Sequence, residues 1–214
     1  MKDTYKTIQN ESIGEFKDKG SKFIAYTTPL SIEADFTLFL DKIKKLHPKA
    51  RHHCYAWRLG MDGNRHRAND DGEPSGTAGR PILGQIDSFG LTNVGVVVVR
   101  YFGGTLLGTS GLIQAYREST AEAFRNAEIV ERIVEDVFEI QFEYDKMPDV
   151  MNALKRLTIH VLKQDFNDIG IVKISIRQSE SEETILKMRA LILKISVEEA
   201  ILRDNTEGVL IEKL

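Results

Sequence analysis

The residues best suited to chemistry crowd into "NDDGEPSGTAGRP", Asn69 to Pro81, where the carboxylates of Asp70, Asp71 and Glu73 stand among three glycines, the hydroxyls of Ser75 and Thr77, and Arg80. A segment with so little apolar surface either turns a corner or holds a ligand. Its acids suit acid/base work or a divalent cation, but the D-x-D-x-D-G spacing of a calcium loop is absent. They also read as ties that pin the loop to Arg65, Arg67 or Arg80. A second stretch, "GGTLLGTS" from Gly103 to Ser110, follows a valine run and leads into a helix, where free amides attract anions. It satisfies the G-x-x-x-x-G-K-[ST] phosphate loop except at the lysine, replaced by Thr109. Nothing then reaches the outer phosphates of a nucleotide, and no ATP or GTP hydrolysis is expected. Two readings stay open: an amide-lined concavity flanked by Arg100, or a close-packed turn.

His52, His53, Cys54 and His66 invite a metal. On a strand, His52 and Cys54 share one face and His53 takes the other, while a two-residue turn at Asp62-Gly63 sets His66 opposite Leu59, on the His53 face. The ligands are split, no C-x-x-C or H-x-x-x-H spacing is present, and neither a metal nor a cofactor is expected. Cys54, mid-strand among apolar residues, reads as packing.

The elements that must position these groups follow from patterning. Twelve of the 16 glycines fall between Gly60 and Gly111, where the backbone must turn or approach something closely. Before them come two strands, "IGEFK" and "SKFIAYTT", and a helix from Ser31 that Pro48 ends. "RHHCYAWRLGMDGNRHR" reads as a hairpin, "PILGQIDSF" as a short helix, and "NVGVVVVRYF", apolar on both faces, as a central strand followed by a helix from Leu112 to about Ala127. The remainder alternates cleanly in "VFEIQFEY", then gives a helix capped by Asp145, a hairpin across "ND", a second helix, and a closing strand from "VEEAILRD" and "GVLIEKL". This β-α-β-β-α-β order is that of a ferredoxin-like sandwich. The expected class is α+β in two domains, residues 1–132 and 136–214, with the unusual residues in the first.

A net charge of −3 excludes a strongly basic protein, yet Lys42 to Arg67 holds eight Lys/Arg, four histidines and one acid, Asp62. That stretch suits either an anion or a solvated surface. The polar start "MKDTYKTIQNES" and the short run "VGVVVV" predict neither a signal peptide nor a membrane span. A single cysteine fits a reducing, cytoplasmic setting.

"GSKFIAY", "ARHHCYAW", "DDGEPSGTAGRPIL" and "VVVVRYFGGTLLGTSGLIQAY", in this order, closely resemble the bacterial YigZ branch of the IMPACT family. The resemblance implies a first domain like the second domain of ribosomal protein S5 and a second like the last domain of elongation factor G. It also points toward translation, since the eukaryotic relatives are translational regulators. Those relatives carry an extra N-terminal domain not expected here, so only the shared core transfers. The leading expectation is a non-enzymatic binding protein that contacts RNA, the ribosome or a translation factor. The alternative is an enzyme for a small phosphorylated or carboxylated substrate, which needs an enclosed pocket rather than an open face. In either case "DDGEPSGTAGRP" and "RYFGGTLLGTSG" are expected to form two walls of one concave anion site. The first wall brings Ser75, Thr77 and Arg80, the second Arg100, Tyr101, Gly103, Gly104, Gly108 and Thr109. Arg51, His52 and His53 form the rim, and Asp70, Asp71 and Glu73 orient the cations.

Overall fold

The computed structural model describes residues 3–202 and 208–214. The chain divides into two compact units, Thr4–Arg132 and, with Asp3, Ile133–Leu214.

The first unit runs β1 (Thr4–Ile8), β2 (Ser12–Asp18), β3 (Ser21–Pro29), α1 (Glu33–Leu46), β4 (His52–Leu59), β5 (Arg65–Asn69), α2 (Gly79–Ser88), β6 (Val94–Tyr101), α3 (Gly108–Arg125) and β7 (Ile129–Ile133). Five strands form one antiparallel sheet in the order β2-β3-β6-β4-β5. The valine run puts β6 at its centre, because a strand apolar on both faces must be covered twice. Val97 and Val99 meet Phe36, Phe39 and Ile43 of α1, whose three- and four-residue spacing makes one apolar stripe. Val96 and Val98 meet Ile82 and Ile86 of α2 and Leu112, Tyr116 and Phe124 of α3. Gly14 lets β2 press against α3, since a Cβ there would lie 2.1 Å from the Ala123 nitrogen.

Three details differ from the patterning. The five-residue strands β1 and β7 pair in a separate small sheet, too short to show a period. Helix α3 begins at Gly108 rather than Leu112, taking Thr109 and Ser110 into its first turn. The β4–β5 connection is a loop over residues 60–64, with Arg65 opposite Leu59 and His66 opposite Arg58. This one-residue shift from the expected turn moves His66 to the other face.

The second unit runs β8 (Glu135–Phe142), α4 (Met147–Arg156), β9 (His160–Phe166), β10 (Gly170–Arg177), α5 (Ser181–Leu193), α6 (Val197–Ile201) and β11 (Val209–Lys213). Its antiparallel sheet has the order β11-β8-β10-β9, with Phe138, Ile140, Phe142, Val172, Ile174 and Ile176 on the buried face. Asp145 falls in a 3-10 turn ahead of α4 and makes no side-chain cap. "VEEAI" is the helix α6 rather than a strand, started by a capping box in which Ser196 Oγ accepts from the Glu199 amide. Arg203 and Asp204 of that stretch lie outside the described residues. No described helix is long and apolar enough to cross a membrane.

Candidate functional site

Strands β3, β4 and β6 end together: Lys22 pairs with Tyr101, and His52 with Arg100. Strand alternation then sorts the functional side chains. His52, Cys54 and Arg100 lie on the α2/α3 face, while His53 and Tyr101 lie on the α1 face.

On the α2/α3 face, the acidic loop reaches Arg100. Glu73 Oε1 accepts from Arg100 Nη1 at 2.6 Å and from the Tyr116 hydroxyl at 2.8 Å. Both charged side chains are buried, and Arg100 Nε has no hydrogen-bond partner. The guanidinium also lies over two rings, 5.4 Å from the centroid of Phe23 and 5.6 Å from that of Phe102. The Cys54 thiol sits 3.2 Å from the Tyr116 hydroxyl and 3.0 Å from the Asp70 carbonyl oxygen. Burial pushes both the Cys54 thiol and the Tyr116 phenol up, which favours their protonated forms. Tyr116 escaped sequence reading; its signal is a polar-tipped residue on the apolar stripe of α3, four residues after Leu112.

The loop acids are held by different partners from those expected. Asp70 accepts from the amides of Gly76, Ala78 and Gly79, capping α2 from a distance, rather than pairing with Arg65, Arg67 or Arg80. Partial burial pushes its carboxyl up, but those amide bonds outweigh it and leave the pKa below the usual carboxylate value. Asp71 Oδ2 accepts from the His53 amide at 2.6 Å, and the Asp71 carbonyl lies 2.8 Å from His52 Nδ1. Thr77 is buried and donates to the Pro74 carbonyl, while Ser75 and Arg80 are exposed. Arg67 pairs instead with Glu33.

On the α1 face, Tyr101 and Tyr26 bracket His47, with hydroxyls 2.8 Å from its Nδ1 and 2.6 Å from its Nε2. Burial holds His47 below the ordinary histidine value, and does the same to His53 against the opposing charge of Asp71. His53 and Tyr101 are thus separated by the sheet from Arg100 and Glu73.

The second wall is the exposed loop from Phe102 to Gly108, in which only Leu107 is buried. Gly103 serves packing: its amide donates to Ser21 Oγ, and a Cβ there would lie 1.9 Å from the Gly20 carbonyl carbon. Gly104 and Gly108 have φ of +88° and +72°, with nothing within 4 Å of a Cβ. Among the described residues no side chain caps the start of α3, where Thr109 and Ser110 are exposed; the Asp18 carboxylate lies nearby without bonding its amides. The same sheet end carries exposed Lys19, Arg51 and Arg80, which make no ion pair among the described residues.

Cavities of about 720, 490 and 430 Å³ open elsewhere, at α5/α6, at α4/β9 and beside β1. None of these three is lined by Glu73, Arg100 or either glycine loop. No cluster of three or more His, Cys, Asp or Glu side chains able to hold a metal occurs among the described residues.

The fold and this sheet end define a class: a two-unit α/β protein with an inward-turned acidic loop beside an uncapped helix start. Residues 19–124 match the Impact N-terminal domain. The chain is 32% identical over 198 residues to an IMPACT family member of Haemophilus influenzae, covering 89% of this chain and 96% of the relative. It is 31% identical to the IMPACT family member YigZ of Escherichia coli, over 79% of this chain and 84% of the relative. A crystal structure described as a hypothetical protein aligns with 100% of this chain and 98% of its own, at 25% identity and a TM-score of 0.69. The chain belongs to the IMPACT family.

Proposed function

We propose that this protein is a non-enzymatic, translation-associated binding protein that docks RNA of the translation machinery on the sheet end formed by the two glycine loops. Family membership supports the translation setting, because the resemblance extends to eukaryotic regulators of translation. The observation that carries the binding mode is electrostatic. Glu73 is paired with Arg100, and Asp70 and Asp71 are tied to internal amides, whereas Lys19, Arg51 and Arg80 face outward without ion pairs among the described residues. Free surface cations, with the uncapped start of α3 among them, favour a polyanion that lies across the surface. The open face also suits a docked polymer better than an enclosed small substrate.

The test is binding of a fluorescently labelled oligoribonucleotide at several salt concentrations, with the full chain and its Arg80→Ala variant. Each lost phosphate contact on a single strand lowers the salt slope by about 0.7, and the weakening should be similar across sequences. The reading fails if the wild-type chain shows no salt-dependent RNA affinity while a purified translation factor or a small anion is retained.

A further inference from the structure

The position of Phe102 sharpens the class of RNA. Its ring is 50% exposed, and Leu106, in the same loop, is 83% exposed. One side of the ring is fixed by Arg100, which is 6% exposed, held by Glu73, and backed in turn by the buried ring of Phe23. Arg100 also keeps a buried Nε without a hydrogen-bond partner. The Arg100 guanidinium thus lies within cation–π range of two rings, the buried one of Phe23 and the half-exposed one of Phe102. Gly103 and Gly104 follow at once, and the open space around Gly104 lets another backbone come close. The loop then enters the uncapped start of α3, whose exposed amides suit a phosphate.

Resting on the RNA reading above, we infer that Phe102 is a stacking platform for an unpaired base, so that the protein prefers single-stranded RNA to a duplex. In an A-form duplex the base faces are covered by their neighbours and the edges lie in grooves, leaving nothing to lie flat on an exposed ring. A single strand can place one base on Phe102 and its adjoining phosphate over Gly104 and the Thr109 and Ser110 amides. Stacking of this kind tolerates any base, because every base has a π-face. The preference is therefore for strandedness and not for sequence.

The experiment compares the full chain with Phe102→Ala and Phe102→Tyr by fluorescence anisotropy. The probe is a labelled oligoribonucleotide of about twelve nucleotides, within the span such grooves occupy, offered alone and annealed to its complement. The single strand should bind at least tenfold more tightly than the duplex. Phe102→Ala should lose roughly ten- to a hundredfold of single-strand affinity and little of the duplex affinity, the size expected for one stacked base. Phe102→Tyr, which keeps the ring, should bind like wild type. Thermal melts of the three proteins should stay within a few degrees of one another, since Phe102 is half exposed and gives up little beyond its cation–π contact, and this separates lost stacking from lost folding. Equal affinity for the two forms, or an alanine variant weakened less than threefold, overturns the inference; if Arg80→Ala still lowers the salt slope, the RNA reading survives that failure. Absence of binding to either form overturns both.

Discussion

Two helices in the first unit begin on the same side of the sheet, after glycine-rich loops, yet their N-termini have opposite fates. The start of α2 is filled: the Asp70 carboxylate takes three amide donors, and the next acid along, Glu73, folds inward to Arg100 and Tyr116. The start of α3 has no such partner, and its flanking residues are exposed. The helix dipole and unpaired amides attract negative charge in both places. What differs is whether the chain supplies that charge itself. A glycine loop before a helix can thus take an outside anion only where no carboxylate of the chain bonds its amides first.

The largest test breaks the filled side. Glu73→Ala leaves Arg100 buried without its counter-charge, and urea denaturation should show a loss of about 3–5 kcal/mol; Glu73→Gln, which can still accept from Tyr116, should lose less. A loss no bigger than that of a surface substitution would mean the pair is not buried as described.

Asp70→Ala should come next, at about 1–3 kcal/mol for amides left unsatisfied. Its folded pKa is depressed, so its stabilisation is present above the unfolded value of about 3.9 and fades as pH falls through the folded one. Melting curves recorded downward from pH 6 should therefore show a smaller acid-side decline in Asp70→Asn than in wild type. Matching declines would remove Asp70 from the account.

The smallest test fills the open side. Thr109→Asp brings a carboxylate to the first turn of α3 and should raise stability by about 0.3–1 kcal/mol, while weakening RNA binding. Gained stability with unchanged affinity would show that the α3 amides hold no phosphate.

Much of this was readable from the chain. The valine run announced the central strand, the alternation of "VFEIQFEY" announced β8, and both glycine loops were recognisable as places where backbone must be exposed or closely packed. Residue types could not reveal who partners whom. Glu73 and Arg100 are 27 positions apart and Tyr116 another 16 beyond Arg100, so their meeting depends on how β4, β6 and α3 are layered. The short β1–β7 pair lacked the length for a period to show. The β4–β5 loop misled through its composition: Asp62-Gly63 looks like a two-residue turn, but Gly60 also takes positive φ and the loop runs longer. Nearness in sequence groups Tyr101 and His53 with Arg100, whereas strand alternation sends them through the sheet to the other side.

Several contacts that set this sheet end are remote in sequence: 82 residues separate Gly103 from Ser21, and 62 separate Cys54 from Tyr116. Such closures carry their entropic cost before they return any stabilisation, and they are late events in a folding chain. Phe102 cannot be backed by Arg100, nor Arg100 by Phe23, until β3 and β6 have paired. On the proposed reading, a nascent or partly folded chain would carry the binding residues without the surface they form, and affinity for RNA would appear only when the first unit is complete.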